Sequence, residues 1–110
     1  MFNNKKYITK GISESLPKEL ITSMFMLIDK LNKKGKKLDY LQVFEIETKI
    51  NSDVVSYMVN HYQEEPPYNE IVQIIIDEDN LPIISDKVYV IDDSSDDYVG
   101  NTTMLFAYEY

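Results

Sequence analysis

The segment "SESLPKELITSMFMLIDKLNKKGKK", residues 13–37, determines the fold class because it alone has clear helical periodicity. Its apolar residues recur at spacings of three and four, which places them on one side of a helix. They are Leu20, Ile21, Met24, Phe25, Leu27, Ile28 and Leu31. Ser15 is a suitable N-cap, Pro17 suits the first turn, and Gly35 lies just past the end. We therefore predict one amphipathic helix over residues 17–34.

The rest of the chain has the alternation and the β-branched and aromatic residues that are typical of strands. One short strand is predicted before the helix, over residues 5–12. Five more are predicted after it, within residues 38–47, 53–63, 70–78, 87–91 and 102–110. The sequence therefore predicts an α+β fold in one globular domain over residues 1–110. In this fold one amphipathic helix packs on a mainly antiparallel sheet of about five or six strands.

The segment "DVVSYMVNHYQ", residues 53–63, fits two patterns. Val55, Tyr57 and Val59 alternate with other residues as they would in a strand. Val54 and Met58 are four residues apart, as they would be on one side of a helix. We predict a strand, because β-branched and aromatic residues outnumber helix formers.

Two predicted strands are apolar on both sides. The segment "EIVQIIIDE" is apolar from Ile71 to Ile76 except at Gln73, which predicts a strand buried on both faces. In "TTMLFAYEY" the alternation places four large side chains on one face, namely Met104, Phe106, Tyr108 and Tyr110. The opposite face is also largely apolar, so either this strand is central or one side meets a partner. A homodimer through the sheet is one such partner.

The net charge of −8 hides an uneven distribution along the chain. Residues 1–37 contain nine lysines and three acidic residues, whereas residues 38–110 contain two lysines and sixteen acidic residues. There is no arginine. Such asymmetry bears on partners and solubility rather than on fold.

Several classes of protein are disfavoured by composition. The absence of cysteine excludes a disulfide framework and a thiolate zinc site, and it fits a reducing cytoplasm. The most apolar helical run, "LITSMFMLI", is far shorter than the roughly 20 residues of a membrane-spanning helix. No apolar region of a secretory signal follows the first lysines. We expect a cytoplasmic protein with no membrane partner and no cofactor.

Four aspartates fall within the segment "VIDDSSDDYVGNTTM", residues 90–104. A calcium loop that begins at Asp92 needs glycine at its sixth position and glutamate at its twelfth, but Asp97 and Thr103 stand there. Asp, Ser, Gly and Asn are typical of a connection between strands. We therefore predict a loop between two strands and no metal site.

His61 is the only histidine and the one residue on which an enzymatic hypothesis can rest. It could act as a general base beside Glu64 or Glu65. No serine lies in a nucleophile-elbow context, and no cysteine is present. An ordinary hydrogen-bonded histidine at a strand end is favoured, and the protein is not expected to be an enzyme.

Four stretches carry a resemblance to a known family. They are "KKYITKGISESLP" at 5–17, "DYLQVFEIE" at 39–47, "HYQEEPPY" at 61–68 and "VYVIDD…TTMLFAYEY" at 88–110. Together they resemble small bacterial proteins classed as a domain of unknown function, found in staphylococci and other low-GC Gram-positive bacteria, some of them on mobile genetic elements. The resemblance implies a single domain and no catalytic residues, because the family has none assigned. The acidic connection Asp92–Asn101 is longer than in the family pattern.

Two binding hypotheses follow from the charges. In the first, the acidic residues engage a basic protein, and as a nucleic-acid mimic they would occupy the groove of a DNA-handling partner. Its candidate residues are Glu64, Glu65, Tyr68, Asp92, Asp93, Asp96 and Asp97. In the alternative, a lysine cluster binds nucleic acid, with Tyr7 or Tyr40 nearby for base stacking. This lysine cluster comprises Lys30, Lys33, Lys34, Lys36 and Lys37. The acidic pI and the lack of arginine count against the alternative.

Overall fold

The computed structural model describes all 110 residues and contains six strands, two α-helices and a short 3₁₀-helix. In chain order these are β1 (Lys6–Ile8), α1 (Lys10–Ser15), α2 (Lys18–Lys33), β2 (Leu41–Asn51), β3 (Val54–Gln63), β4 (Tyr68–Ile75), β5 (Ser85–Asp92), β6 (Thr102–Phe106) and the 3₁₀-helix Ala107–Glu109. One long helix packs on an open, mostly antiparallel sheet, which confirms the predicted α+β class. No helix is long and apolar enough to cross a membrane.

The strands lie side by side in the order β1-β6-β5-β2-β3-β4. Only the β1–β6 pair is parallel. β2 lies in the middle of the sheet, where Phe44 is opposite His61 of β3 and Val88 of β5. Residues 54–63 are therefore a strand, as the excess of β-branched and aromatic residues predicted.

The core lies on one face of the sheet, beneath both α-helices. Helix α2 buries the greater part of the predicted stripe, namely Leu20, Ile21, Met24, Ile28 and Leu31. All of these side chains except Leu31 belong to one cluster of 17 buried residues, which also contains Phe44, Val59, Val88 and Met104 of the sheet. Ile12 of α1 belongs to the same cluster, so neither helix covers the opposite face.

The first predicted strand, over residues 5–12, is wrong after Ile8. Thr9 Oγ1 accepts a hydrogen bond from Ile12 N (3.2 Å) and thereby caps helix α1, which was not predicted. Ser15 is the last residue of α1 and not an N-cap of the long helix, whose N-cap position is Pro17.

The strand predicted to be buried on both faces is in fact the edge strand β4. Ile71 and Ile75 are 63% and 64% exposed. Val72 and Ile74 point the other way and pack against the core. The prediction failed because a run of apolar residues has no visible alternation, so it cannot show which face lacks a cover.

The last predicted strand, over residues 102–110, ends at Phe106. The Glu109 carboxylate accepts hydrogen bonds from Phe106 N (2.8 Å) and Thr9 Oγ1 (2.9 Å), and these bonds hold residues 107–109 in a 3₁₀ turn. Met104 and Phe106 are buried on one face as predicted, but Tyr108 and Tyr110 are exposed and do not continue that face. β6 lies between β1 and β5 and is not an edge strand, while Leu105 on its other side is partly exposed.

Candidate functional site

Most carboxylates of the acidic part of the chain are exposed on the surface. Of the sixteen that follow residue 37, fourteen are exposed, Asp39 is half-buried and Asp92 is buried. None of them lies within ion-pair distance of a lysine, because the one ion pair of the molecule joins Lys10 to Glu14 at 3.8 Å. No carboxylate of residues 38–110 is therefore neutralised by a direct ion pair.

These carboxylates lie largely at the two ends of the sheet. The β3–β4 turn with Glu64 and Glu65 is at the same end as the β5–β6 loop with Asp96 and Asp97. The turn and the loop are separated by β2, which puts them about three strand spacings, roughly 14 Å, apart. The β2–β3 turn and residues 77–79 after β4 carry the acidic side chains of the opposite end.

Asp92 does not belong to the exposed acidic surface, although it was one of the candidates. Its carboxylate accepts hydrogen bonds from Phe2 N (2.6 Å), Ser94 N (2.8 Å) and Asn4 Nδ2 (3.2 Å). Burial acts to raise the pKa of Asp92, but these hydrogen bonds outweigh burial and hold the pKa below its ordinary value. Asp92 therefore fixes the N-terminal segment, with the buried Phe2, against the end of β5.

The remaining aspartates form a loop between two strands, as predicted. Asp93 Oδ1 accepts a hydrogen bond from Asn101 N (2.7 Å), and Ser94 Oγ accepts one from Gly100 N (2.9 Å). These bonds close the connection from β5 to β6. Asp96 and Asp97 project into solvent, and no three acidic or histidine side chains come together as metal ligands.

His61 is buried within β3 and makes a hydrogen bond with a neutral side chain. Its Nε2 lies 2.7 Å from Gln42 Oε1, and its ring stacks on Phe44 at 4.3 Å between centroids. Burial lowers the pKa of His61 to about 4, against a smaller opposing effect of Glu70. The imidazole is therefore neutral near pH 7. Neither Glu64 nor Glu65 makes a hydrogen bond with it, so the geometry gives the enzymatic hypothesis no support.

Two glutamines that sequence reasoning missed continue this buried polar chain. Gln42 Nε2 donates to Gln63 Oε1 (2.7 Å), and Gln63 Nε2 donates to Lys37 O (3.1 Å) and Pro66 O (2.7 Å). Gln63 Oε1 also accepts from Asp39 N (3.0 Å). The chain ties the segment after α2 to the β3–β4 turn. The signal was present, because Gln42 and Gln63 share the alternation of Phe44 and His61.

The candidate Tyr68 is half-buried at the start of β4. Its ring and that of His61 pack edge to face with their centroids 5.6 Å apart, and its hydroxyl donates to the Glu70 carboxylate. Burial and this neighbouring carboxylate raise the pKa of Tyr68 to about 12. Tyr68 therefore has a packing role in addition to its position beside Glu64 and Glu65.

All members of the lysine cluster are exposed, and none is paired with a carboxylate. Lys36 and Lys37 line a cavity of about 190 Å³ together with Pro66, Pro67 and Tyr68. The structure thus brings the lysine cluster next to the β3–β4 turn, although the two candidate sites are about 30 residues apart in sequence. Tyr40 is exposed close to the cluster in sequence, while Tyr7 lies on β1 at the far edge of the sheet.

The face of the sheet opposite the helices, called here the uncovered face, was also missed. Register places Leu105, Tyr89, Val43 and Tyr62 side by side across four neighbouring strands. The next row carries Lys87 and Glu45. Tyr62 donates to Glu45 Oε2 (2.8 Å), and burial together with Glu45 raises the pKa of Tyr62 to about 12. The terminal Tyr110 contacts Tyr89.

The molecule is an α+β domain in which two helices cover one face of an open six-stranded sheet. The chain belongs to the DUF960 family, described as staphylococcal protein of unknown function, whose model matches residues 5–109. This confirms the resemblance found in the sequence. The fold is similar to that in the crystal structure of a protein of unknown function from Enterococcus faecalis. The two share 25% identity with a TM-score of 0.70 over 98% of this chain and 92% of the other. No curated protein matches the chain.

Proposed function

We propose that this protein is a non-enzymatic binding module whose exposed carboxylates engage a basic partner protein. The observation that carries the proposal is the set of fourteen exposed carboxylates after residue 37, none of which forms an ion pair with a lysine. Unpaired surface charge steers an oppositely charged partner towards the molecule and disfavours partners of like charge. His61 is buried and hydrogen-bonded to Gln42, so it gives no support to the alternative of a catalytic centre.

Nucleic-acid mimicry is the sharper form of this proposal. The longest dimension of the molecule is 50 Å, and acidic side chains occupy both ends of the sheet. Because successive base pairs rise about 3.4 Å, this length matches roughly 15 base pairs of duplex DNA. A DNA-handling partner would then bind the carboxylates in the place of phosphates.

The test is an affinity pull-down from the native host lysate, repeated after nuclease treatment and read by mass spectrometry. The proposal expects a basic protein that is retained after nuclease. A variant with Glu64→Gln, Glu65→Gln, Asp96→Asn and Asp97→Asn should retain much less of it. The matched control replaces exposed acidic residues of the helical part, Glu14→Gln and Glu19→Gln, and should retain the partner. Recovery of nucleic acid without a nuclease-resistant protein partner would contradict the proposal.

Competition separates mimicry from other modes of binding to a basic protein. If the protein is a mimic, short duplex DNA and this protein should exclude each other from the purified partner. If the partner binds DNA and this protein simultaneously, mimicry is excluded, but the proposal of a basic partner protein still stands.

A second candidate function, nucleic-acid binding, is favoured by one specific observation. Every side chain of the lysine cluster is exposed and free of a carboxylate partner, so each could neutralise a phosphate. We predict for this candidate that Lys33→Gln, Lys34→Gln, Lys36→Gln and Lys37→Gln together abolish binding to a labelled oligonucleotide and flatten its salt dependence. Binding that is unchanged in this variant would remove the candidate.

A further inference from the structure

We propose that the free edge of β4 binds an extended segment of the partner protein as an added strand, in which apolar residues alternate with lysine or arginine. The inference rests on the proposed function and gives it a location and a partner chemistry. Addition of a strand to a sheet edge supplies main-chain hydrogen bonds for affinity and side-chain contacts for specificity.

The two edges of the sheet differ in how well they are protected. β1 has only three residues and is followed at once by the cap of helix α1, so it presents little free backbone. β4 has eight residues and pairs only with β3. No backbone hydrogen bond outside the strand ladders involves residues 68–75. The outward amides and carbonyls of β4 are therefore free for pairing, which proteins normally prevent at an edge of this length.

The side chains of β4 favour an apolar strand beside it. Ile71 and Ile75 are about two-thirds exposed and lie on the uncovered face. Gln73 between them is held by a hydrogen bond to Ser56 Oγ (3.0 Å). Val72 and Ile74 remain partly exposed on the helical side of the sheet. A strand that pairs with β4 would cover the two isoleucines, and each such cross-strand pair is stabilising.

Lys36 and Lys37 line a cavity with Tyr68 at the start of β4, but the charge along the rest of the strand is negative and specifies the sign of the occupant. Residues 50–86 contain no lysine and no arginine. Their acidic residues are all exposed and comprise Asp53, Glu64, Glu65, Glu70, Asp77, Glu78, Asp79 and Asp86. Acidic side chains therefore lie before β4, within it and directly after it. A cationic strand complements this edge, whereas a second copy of the chain would bring two anionic edges together.

The test uses the synthetic peptide Ac-KVKVKVKVK-NH2 and the full chain. Amide hydrogen exchange and NMR shifts should show protection gained at residues 68–75. The double variant Ile71→Lys with Ile75→Lys should lower the peptide affinity at least about tenfold. The matched control is Ile50→Lys, because Ile50 is 61% exposed but lies on β2, and it should bind as the wild type does. Circular dichroism checks that all variants are folded.

Two further peptides test separately whether binding needs the positive charge and whether it needs strand pairing. Ac-EVEVEVEVE-NH2 keeps the strand pattern with the wrong charge, and Ac-KVKVPVKVK-NH2 keeps the charge but interrupts pairing. Neither should bind. Protection confined to other strands, or affinity that is unaffected by the double variant, would overturn the inference. Concentration-dependent protection of β4 without peptide would show that a second copy occupies the edge, which also overturns it.

The pull-down distinguishes failure of this inference from failure of the proposed function. If the wild type captures a nuclease-resistant basic protein and the double variant captures it equally well, the proposed function stands and the edge assignment falls. If the wild type captures no basic protein, the proposed function falls, and the inferred partner falls with it.

Discussion

Among the acidic and histidine side chains of the molecule, Asp92 and His61 are the most deeply buried. Each is held in one protonation state, Asp92 by its hydrogen bonds and His61 by its burial. Asp92 accepts three hydrogen bonds as a carboxylate, and His61 lies beside Gln42 and Phe44 as a neutral imidazole. Their protonation is therefore linked to folding.

Replacement of Asp92 by asparagine should destabilise the protein. The two carboxylate oxygens of Asp92 accept hydrogen bonds from Phe2 N and Ser94 N, whereas the amide of asparagine has only one accepting oxygen. One of these two N–H groups would therefore be left without a hydrogen-bond partner at a buried position. We expect a loss of about 2 kcal/mol in the free energy of unfolding, measured by urea denaturation. Asp97→Asn is the control, because Asp97 is exposed, and it should change stability by less than about 0.5 kcal/mol. Equal stability of the two variants would contradict the role of Asp92.

The imidazole of His61 should remain neutral well below the usual pH range. Because its pKa is lowered from 6.5 to about 4, its NMR resonances should be constant between pH 8 and pH 5.5 and shift only near pH 4. A midpoint near pH 6.5 would refute the buried geometry.

The same group makes stability depend on pH. The unfolded chain binds a proton at His61 below about pH 6.5, whereas the folded chain does so only below about pH 4. Above about pH 6.5, His61 is neutral in both states and does not weaken folding. As the pH falls from about 6.5 to about 4, protonation of the unfolded chain lowers the free energy of unfolding by about 3 kcal/mol in total. In His61→Gln this part of the pH dependence should be absent.

Helix α2 shows how far the sequence predicts an element and its end. Its apolar stripe and Gly35 were both readable, because both are local signals. Gly35 has φ of 75°, Lys36 N donates to Leu31 O (3.1 Å), and Gly35 N donates to Asn32 O (3.0 Å), which together form a Schellman C-cap.

Gly35→Ala should lower the free energy of unfolding by about 1 kcal/mol, because alanine is strained at positive φ. No atom lies within 4 Å of an added Cβ, so the loss reflects backbone conformation and not a clash. Gly35→Asn should lose less, since asparagine tolerates this conformation better. The measurement is thermal and urea denaturation of the three proteins. A loss in Gly35→Asn as large as in Gly35→Ala would speak against this explanation.

The elements that were mispredicted depend on residues distant in sequence. Thr9 ends β1 and caps α1, but it also donates to Glu109, and the same carboxylate ends β6. The residues near Thr9 in sequence do not reveal this contact, because Glu109 is 100 residues away. β4 was misassigned because strand order, rather than composition, places it at an edge.

The candidate site was predictable in kind but not in arrangement. Composition showed the exposed acidic residues and the lysine cluster, since charged side chains are mostly on surfaces. Composition could not show that Asp92 is buried, because its partner Phe2 is 90 residues away. Nor could it show that Gln63 holds Lys37 beside the β3–β4 turn by a hydrogen bond to the carbonyl oxygen of Lys37.

Taken as one body, the molecule carries a net charge of −8 with a single internal ion pair. Repulsion among its free carboxylates should destabilise the folded state at low ionic strength. We expect the melting temperature to rise by about 3 °C between dilute buffer and about 0.3 M sodium chloride, because salt screens this repulsion. The rise should be smaller in the variant Asp77→Asn with Asp79→Asn. A melting temperature that falls with salt would show that attraction between charges dominates instead.

The parallel pairing of β1 with β6 has a consequence for synthesis on the ribosome. Lys6 pairs with Thr102 and Ile8 with Met104, so the first strand can join the sheet only when the last one has left the exit tunnel. Until then the nascent chain holds Phe2 and Ile12 without their final partners, although helix α2 and the hairpins from β2 to β4 can already form. The domain is therefore complete only after its last strand has been made and has joined the first.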